Sequence, residues 1–493
     1  MNQYYESTRD ASITLSPAKA ILQGLSNDGG LFVVSDLKDR QIDMKRIVGK
    51  NYYEIAEEVF ALFLPDFTKE EIQACVEAAY RGKFSNEEVT PLVKLKDGFV
   101  LELFNGPTSA FKDVGLQMLP QLTKTALKKT NADYEVLILT ATSGDTGKAA
   151  LEGFKDVDHV KIMVFYPNDG VSKVQEMQMK TQTGNNVKVC AIEGNFDDAQ
   201  SGIKKLFVDD NFKAELAKEN IKLSSANSIN IGRLLPQMVY YFYAYASLVE
   251  QGEITLGDEI NFVVPTGNFG NILAGYYAKQ VGLPVHKLVC ASNDNNVLYD
   301  FIQTGRYDRK RDFLKTISPS MDILISSNLE RLLFFASGCD NAYIKELMDD
   351  LAKEGSYQVK EDVLANIQKD FKAGYATNQQ TQETIRDVYK NDNYLLDPHT
   401  AVAYKVLLDD VDTAHKNVVL STASPYKFTN SVYEALHGET TDDEFILMNK
   451  LHEETQVPIP ANLVDLDKKP VLHNDVIEKD AMESYVLDKV GSI

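Results

Sequence analysis

Cysteine is scarce in this chain and scattered. Cys75, Cys190, Cys290 and Cys339 are the 4 in 493 residues. They form no metal-ligand spacing, so no metal site is expected, and they read as reduced residues in mainly core positions. Positive charge is in deficit as well. The 51 Lys and Arg against 72 Asp and Glu leave a formal net charge of -21. That balance argues against nucleic acid and anionic membranes as partners. It identifies no partner of its own, because acidic surfaces mostly confer solubility. Long apolar runs are missing too, and no segment is apolar enough for long enough to span a bilayer. Near the N-terminus Arg9 and Asp10 interrupt any signal-peptide pattern. Repeats and low-complexity tracts are absent. These absences lead us to expect a cytoplasmic protein with ordinary cores, and the length implies two or three domains.

The chain changes character along its length. Residues 1–90 read as a mainly helical domain, with helical periodicity at 53–63 and 69–80 and a short strand at 31–34. Thr90-Pro91 marks a boundary. From there strands and helices alternate. Strands are expected at 135–139, 161–166, 187–192, 260–264 and 287–291, with helices at 146–154, 172–181, 197–207, 234–249 and 271–281. This rhythm predicts an α/β fold with parallel sheets, in two subdomains with a cleft between them. Residues 308–391 are polar, helix-rich and poor in strand patterns, so they read as a helical insertion. Sheet-type sequence returns at 417–420, which assigns 91–307 and 392–440 to the catalytic α/β part. Residues 441–493 read as a charged C-terminal tail.

Within this frame one stretch stands out, LFNGPTSAFKD at 103–113. A largely apolar strand at 99–104 runs into a loop broken by Gly106 and Pro107. Ser109 is placed to cap a helix that carries Lys112 in its first turn. The helix dipole disfavours a cation there and lowers its pKa. A lysine that can shed its proton can attack an aldehyde and form a Schiff base.

Other loops offer anion sites. PTGNFGN at 265–271 follows an apolar strand and opens a helix, so the N–H groups of Gly267, Asn268, Phe269, Gly270 and Asn271 can surround a phosphate. It is not a dinucleotide fingerprint, because Pro265 stands where the first glycine belongs. TATSGDTGK at 140–148 also joins a strand to a helix. It fails as an ATP loop at both ends, but Ser143, Asp145 and Thr146 suit a small anion such as a carboxylate. SSANSINIGR at 224–233 supplies Ser228, Asn230 and Arg233. SPSMDILISSNLER at 318–331 is dense in hydroxyls, and LSTASPYKF at 420–428 places small hydroxyl residues after a late strand. His399, in LDPHTAVAY, reads as a structural hydrogen-bonding residue. Taken singly, the first two loops are equally compatible with plain turn and capping chemistry, and the other three fit that plain reading better.

Together, and in this order, the motifs resemble the threonine synthase family, long type. The resemblance rests on SNDGGLFV, FNGPTSAFKD, ATSGDTG, NSINIGRLLPQ, VPTGNFGN, SPSMDILISSN, LDPHTAVAY and STASPYKF, and runs over nearly the whole chain. It implies the tryptophan synthase β-like (fold type II) architecture and pyridoxal 5'-phosphate as cofactor. Lys112 would hold the cofactor as an internal aldimine. Gly267, Asn268, Phe269, Gly270 and Asn271 would hold its phosphate, and Thr422 would lie beside the pyridine nitrogen. Ser143, Asp145 and Thr146 would lie near the substrate carboxylate. Ser228, Asn230, Arg233 and Lys173 are candidates for the phosphate that leaves. The implied reaction converts O-phospho-L-homoserine and water into L-threonine and phosphate, in a monomer or a homodimer. A serine or threonine dehydratase of the same fold, or a non-catalytic cofactor-binding homologue, would use Lys112 and the glycine loop as well. One departure is visible: the family stretch often reads TAHPAKF, and here Ser424 and Tyr426 replace the usual His and Ala.

Overall fold

A computed structural model describes residues 3–142, 144–168 and 170–493. Two sheets organise it. The larger has six strands in the order Phe371–Tyr375, Val285–Ser292, Ile260–Pro265, Lys416–Ser421, Phe99–Glu102 and Leu92–Lys94. All pair in parallel except the last, which runs antiparallel at the edge. The smaller has five parallel strands in the order Asp475–Glu478, Val187–Glu193, Val160–Pro167, Glu135–Ala141 and Ile221–Ser224. The central strand INFVVP at 260–265 is buried at every position, as a parallel strand covered on both faces must be.

The N-terminal unit matches the expected helices, Tyr52–Phe63 and Lys69–Tyr80. Each is started by a reciprocal cap, Asn51 with Glu54 and Thr68 with Glu71. A small antiparallel sheet of Tyr5–Ser7, Thr14–Leu15 and Phe32–Val33 completes the unit. The Lys69–Tyr80 helix of this unit also buttresses the Lys112–Lys129 helix. The buried Tyr80 hydroxyl donates to the Val114 carbonyl at 3.0 Å.

Three expectations change. The stretch 308–391 is mostly helical, but Phe371–Tyr375 is an edge strand of the large sheet rather than part of a purely helical insertion. Its five residues include a glycine and alternate little, so periodicity could not reveal it. The tail is not appended to the outside. Its Asp475–Glu478 strand pairs with Val187–Glu193, and its Met482–Lys489 helix packs Met482 and Val486 into the core of the smaller sheet. Ser109 is not a helix cap. It sits at φ +61° with its hydroxyl on Asn462, and the helix starts from Phe111 with no side-chain cap. Among the described residues no helix is long and apolar enough to cross a membrane.

Candidate active site

Three adjacent strands of the large sheet, Ile260–Pro265, Lys416–Ser421 and Phe99–Glu102, all point their C-terminal ends to one edge. Each ends in one of the loops singled out above. Ligands of open α/β sheets bind at that edge because helix N-termini and free backbone groups collect there. The Phe111 N–H donates to the Thr422 carbonyl at 2.8 Å, and the Ser424 N–H donates to the Ser109 carbonyl at 3.0 Å. The lysine loop and the threonine loop are therefore stitched together. Ser424 and Tyr426 serve this loop: the Ser424 hydroxyl accepts from the Tyr426 N–H, and the Tyr426 hydroxyl donates to the Val457 carbonyl.

Lys112 is the first residue of its helix and partly exposed. Burial of its ammonium outweighs the attraction of Asp145, and with Arg233 and Lys427 nearby its pKa falls to about 8. The next residue, Asp113, is fully buried. Its carboxylate accepts from the Thr108 N–H at 2.8 Å and the Thr108 hydroxyl at 2.6 Å, yet burial pushes its pKa up to about 6.

Asp145 reaches the site from the other sheet, at the start of the Asp145–Phe154 helix. Burial alone would raise its pKa. The Lys427 ammonium at 2.7 Å and nearby Lys112 instead hold it well below the usual carboxylate range. Gln175 donates to the same oxygen at 3.0 Å. Lys427 has no exposed side chain and also donates to the Thr108 carbonyl at 3.0 Å. One buried ion pair thus joins a loop of the larger sheet to a helix of the smaller one. Thr146 is partly exposed beside it, while Ser143 lies outside the described residues.

The glycine loop has the features of a phosphate cradle. Its carbonyls are occupied: Gly267 accepts from the Ser326 hydroxyl at 2.7 Å, and Asn268 accepts from the Asn328 N–H at 3.0 Å. Among the described residues the N–H groups of Gly267, Asn268, Phe269, Gly270 and Asn271 have no acceptor. Phe269 is held in the left-handed region, at φ +65°, on the brink of the Gly270–Gln280 helix. Non-glycine residues rarely adopt that conformation, and such strain concentrates at binding sites. The side chain of Asn271 is used internally, donating to the Pro265 carbonyl at 2.8 Å. Five free N–H groups at one helix start fit a phosphate dianion.

The remaining candidates divide. Arg233 is buried, its Nη1 donates to the Ala226 carbonyl at 2.7 Å, and its Nε has no partner among the described residues. Burial lowers its pKa to about 10. A buried cation with an unused donor and no carboxylate beside it is prepared for an anion. Ser228 lies beside the glycine loop, since a Cβ on Gly270 would sit 3.6 Å from its own Cβ, and it accepts from Asn328 at 3.1 Å. Asn230 does not face a ligand. Its side chain caps the Ile231–Glu250 helix through the Gly232 N–H and donates to the Ile21 carbonyl, because the helix start must be satisfied where it is buried. Lys173 is exposed and ion-paired with Asp443, so the structure places its charge at the surface. His399 is buried with both ring nitrogens engaged: Nδ1 donates to Asp397 at 2.9 Å and Nε2 accepts from the Ser320 N–H at 3.1 Å. The buried Lys427 and Gln175 escaped the sequence reading. A lysine in a turn and a glutamine in a polar helix look solvated, and only the fold shows them buried.

The lowered Lys112 pKa makes a prediction. The neutral amine is the nucleophile, and at pH 7 a pKa of about 8 leaves about one lysine in ten neutral, against about one in 3000 for an ordinary lysine. Capture of an aldehyde by the cofactor-free protein should rise with pH and level off above about 8. A stopped-flow profile still climbing steeply at pH 10 would contradict the assignment.

A family model described as the threonine synthase N terminus matches residues 4–80. One for pyridoxal-phosphate dependent enzymes matches residues 84–423, and one for the threonine synthase C-terminal region matches residues 400–486. Threonine synthase of Schizosaccharomyces pombe is 38% identical over 468 residues, covering 88% of this chain and 89% of its own. Threonine synthase of Pseudomonas aeruginosa is 37% identical over 488 residues, covering 97% and 98%. The crystal structure of threonine synthase from Brucella melitensis with bound PLP superposes with a TM-score of 0.88 at 39% identity, covering 99% of each chain.

Proposed function

The chain belongs to the threonine synthase family of pyridoxal-phosphate-dependent enzymes, and from that premise we propose that it converts O-phospho-L-homoserine and water into L-threonine and phosphate. The observation that carries this reading is the shared sheet edge, where Lys112, the free N–H groups of 267–271 and Thr422 end three adjacent strands. Lys112 Nζ would hold the cofactor, the glycine loop its phosphate, and the Thr422 hydroxyl its ring nitrogen. Pyridoxal phosphate, when bound, supplies a conjugated electron sink for charge developing at the substrate Cα.

The chain's own residues supply the rest. Lys112 Nζ, with its pKa lowered to about 8, can accept the Cα proton near neutral pH and return it. The departing phosphate needs positive charge, which the unpaired Nε of buried Arg233 would supply, with the Ser228 hydroxyl beside the glycine loop. Thr146, at the start of the Asp145–Phe154 helix, would take the substrate carboxylate. Asp145 keeps its negative charge because Lys427 neutralises it, so it orients rather than shuttles protons. A hydroxyl at Thr422 leaves the ring nitrogen free of an obligate proton, which favours elimination and water addition over transamination. The four thiols are free, and three of them are buried, which suits a reducing cytoplasm.

The test is incubation of the purified protein with O-phospho-L-homoserine, following phosphate and threonine together. Equal release of both is expected. Phosphate without threonine, or turnover of threonine itself at comparable rate, would favour a dehydratase instead.

A further inference from the structure

Asp397 is the N-cap of the Pro398–Asp409 helix, and both oxygens of its buried carboxylate are engaged. One oxygen holds His399 Nδ1 at 2.9 Å and also accepts from the His399 N–H at 2.9 Å. That fixes the imidazole with its proton on Nδ1 and its Nε2 lone pair free to accept from the Ser320 N–H at 3.1 Å. The Ser320 carbonyl in turn abuts the glycine loop: a Cβ on Gly267 would come within 2.6 Å of it. The other Asp397 oxygen accepts from the Thr400 hydroxyl. With its proton committed there, the Thr400 oxygen accepts from the Thr422 N–H at 3.2 Å and lies 3.1 Å from the Ser421 hydroxyl. His399 also sets its ring edge against Phe428, at 4.7 Å between centroids. Asp397, His399 and Thr400 are all at most 2% exposed.

We propose that Asp397 is a positioning residue that sets both ends of the cofactor site at once, the phosphate loop through His399 and Ser320 and the pyridine-side threonine through Thr400. This rests on the cofactor reading given above. The two arms are chemically separable because only one of them concerns the phosphate. A carboxylate is suited to the junction, since it accepts bonds from both arms and donates none.

The experiment titrates the cofactor-free full-length protein with pyridoxal phosphate and, separately, with pyridoxal, reading the visible absorbance of bound ligand. The wild-type preference for pyridoxal phosphate measures the loop. His399→Leu removes the acceptor for Ser320 but keeps an apolar side chain against Phe428. It should lower that preference about tenfold while leaving pyridoxal affinity nearly unchanged. His399→Gln, whose Oε1 can accept in place of Nε2, should recover most of the loss. Thr400→Val should weaken both ligands alike and keep the preference. Asp397→Asn should do both. A purely structural role predicts lower thermal midpoints with the preference intact in every variant, and that result overturns the proposal. If His399→Leu does not fold, the comparison of Asp397→Asn with Thr400→Val still decides it, because only the first should change the preference. A wild-type protein with no preference for pyridoxal phosphate would instead overturn the assignment of the glycine loop itself.

Discussion

Lys112→Ala is expected to abolish threonine formation while leaving the fold intact. Loss of a positioned general base alone costs about 10² to 10⁴ in rate, and here the covalent anchor for the cofactor goes with it, so the fall should exceed about a thousandfold. The fold should tolerate the change because the ammonium is not a stabilising charge. Burial lowers its pKa to about 8, below that of an unfolded lysine. A lysine shifted in that direction disfavours the folded state increasingly as pH falls from about 10 to 8, and fully below that. Removing it at pH 7 therefore takes away a penalty, and Asp145 keeps Lys427 at 2.7 Å. Lys112→Arg should be as inactive as alanine, because a guanidinium does not shed its proton. Borohydride treatment of the wild-type protein, followed by peptide mapping, should fix the cofactor on Lys112. A label on another lysine, or an alanine variant retaining more than a hundredth of the activity, would sink the assignment.

The sequence made the loops legible and left their mutual support hidden. PTGNFGN could be singled out because glycines between an apolar strand and a helix let the backbone approach an anion closely, although a plain turn has the same pattern. Gly267 nevertheless carries a second constraint that spacing cannot show, the Ser320 carbonyl 2.6 Å from where a Cβ would stand. A bulky residue there would disturb the fold as well as the phosphate loop. Gly270 has only ordinary contacts around its Cβ position, so Gly270→Ala is the milder probe. The ten strands and helices expected along 135–292 match to within three residues at each end, but the Asp210–Lys218 helix and the Ile221–Ser224 strand were not expected there. The strand at Phe371–Tyr375 did not, because its place is set by pairing with Val285–Ser292 some 80 residues away in sequence rather than by its own composition. Asn230 and Lys173 were chosen for their chemistry alone. Burial at a helix start claimed the first, and an exposed carboxylate the second.

Lys427 is where the largest effect on stability is expected. Lys427→Met fills a similar volume and removes the only ammonium within hydrogen-bonding distance of Asp145 among the described residues. It leaves a carboxylate 5% exposed, with Gln175 at 3.0 Å as its remaining side-chain donor. Breaking a buried pair from one side costs about 3–5 kcal/mol, because the orphaned charge is neither hydrated nor matched. Asp145→Asn added to Lys427→Met should recover part of that cost, since no charge is then stranded. The two residues belong to different subdomains, so the loss should also loosen one sheet against the other. Lys112 offers an independent readout. At present Lys427 lowers its pKa and Asp145 raises it. With Lys427 gone, only burial and Arg233 still oppose Asp145 at Lys112, so the pH at which the cofactor-free protein captures an aldehyde should move upward from about 8. Thermal midpoints of the single and double variants, with the capture profile of the single one, provide the check. A Lys427→Met midpoint no lower than that of an exposed-lysine control, together with an unmoved profile, would show that this ion pair neither holds the subdomains nor tunes Lys112.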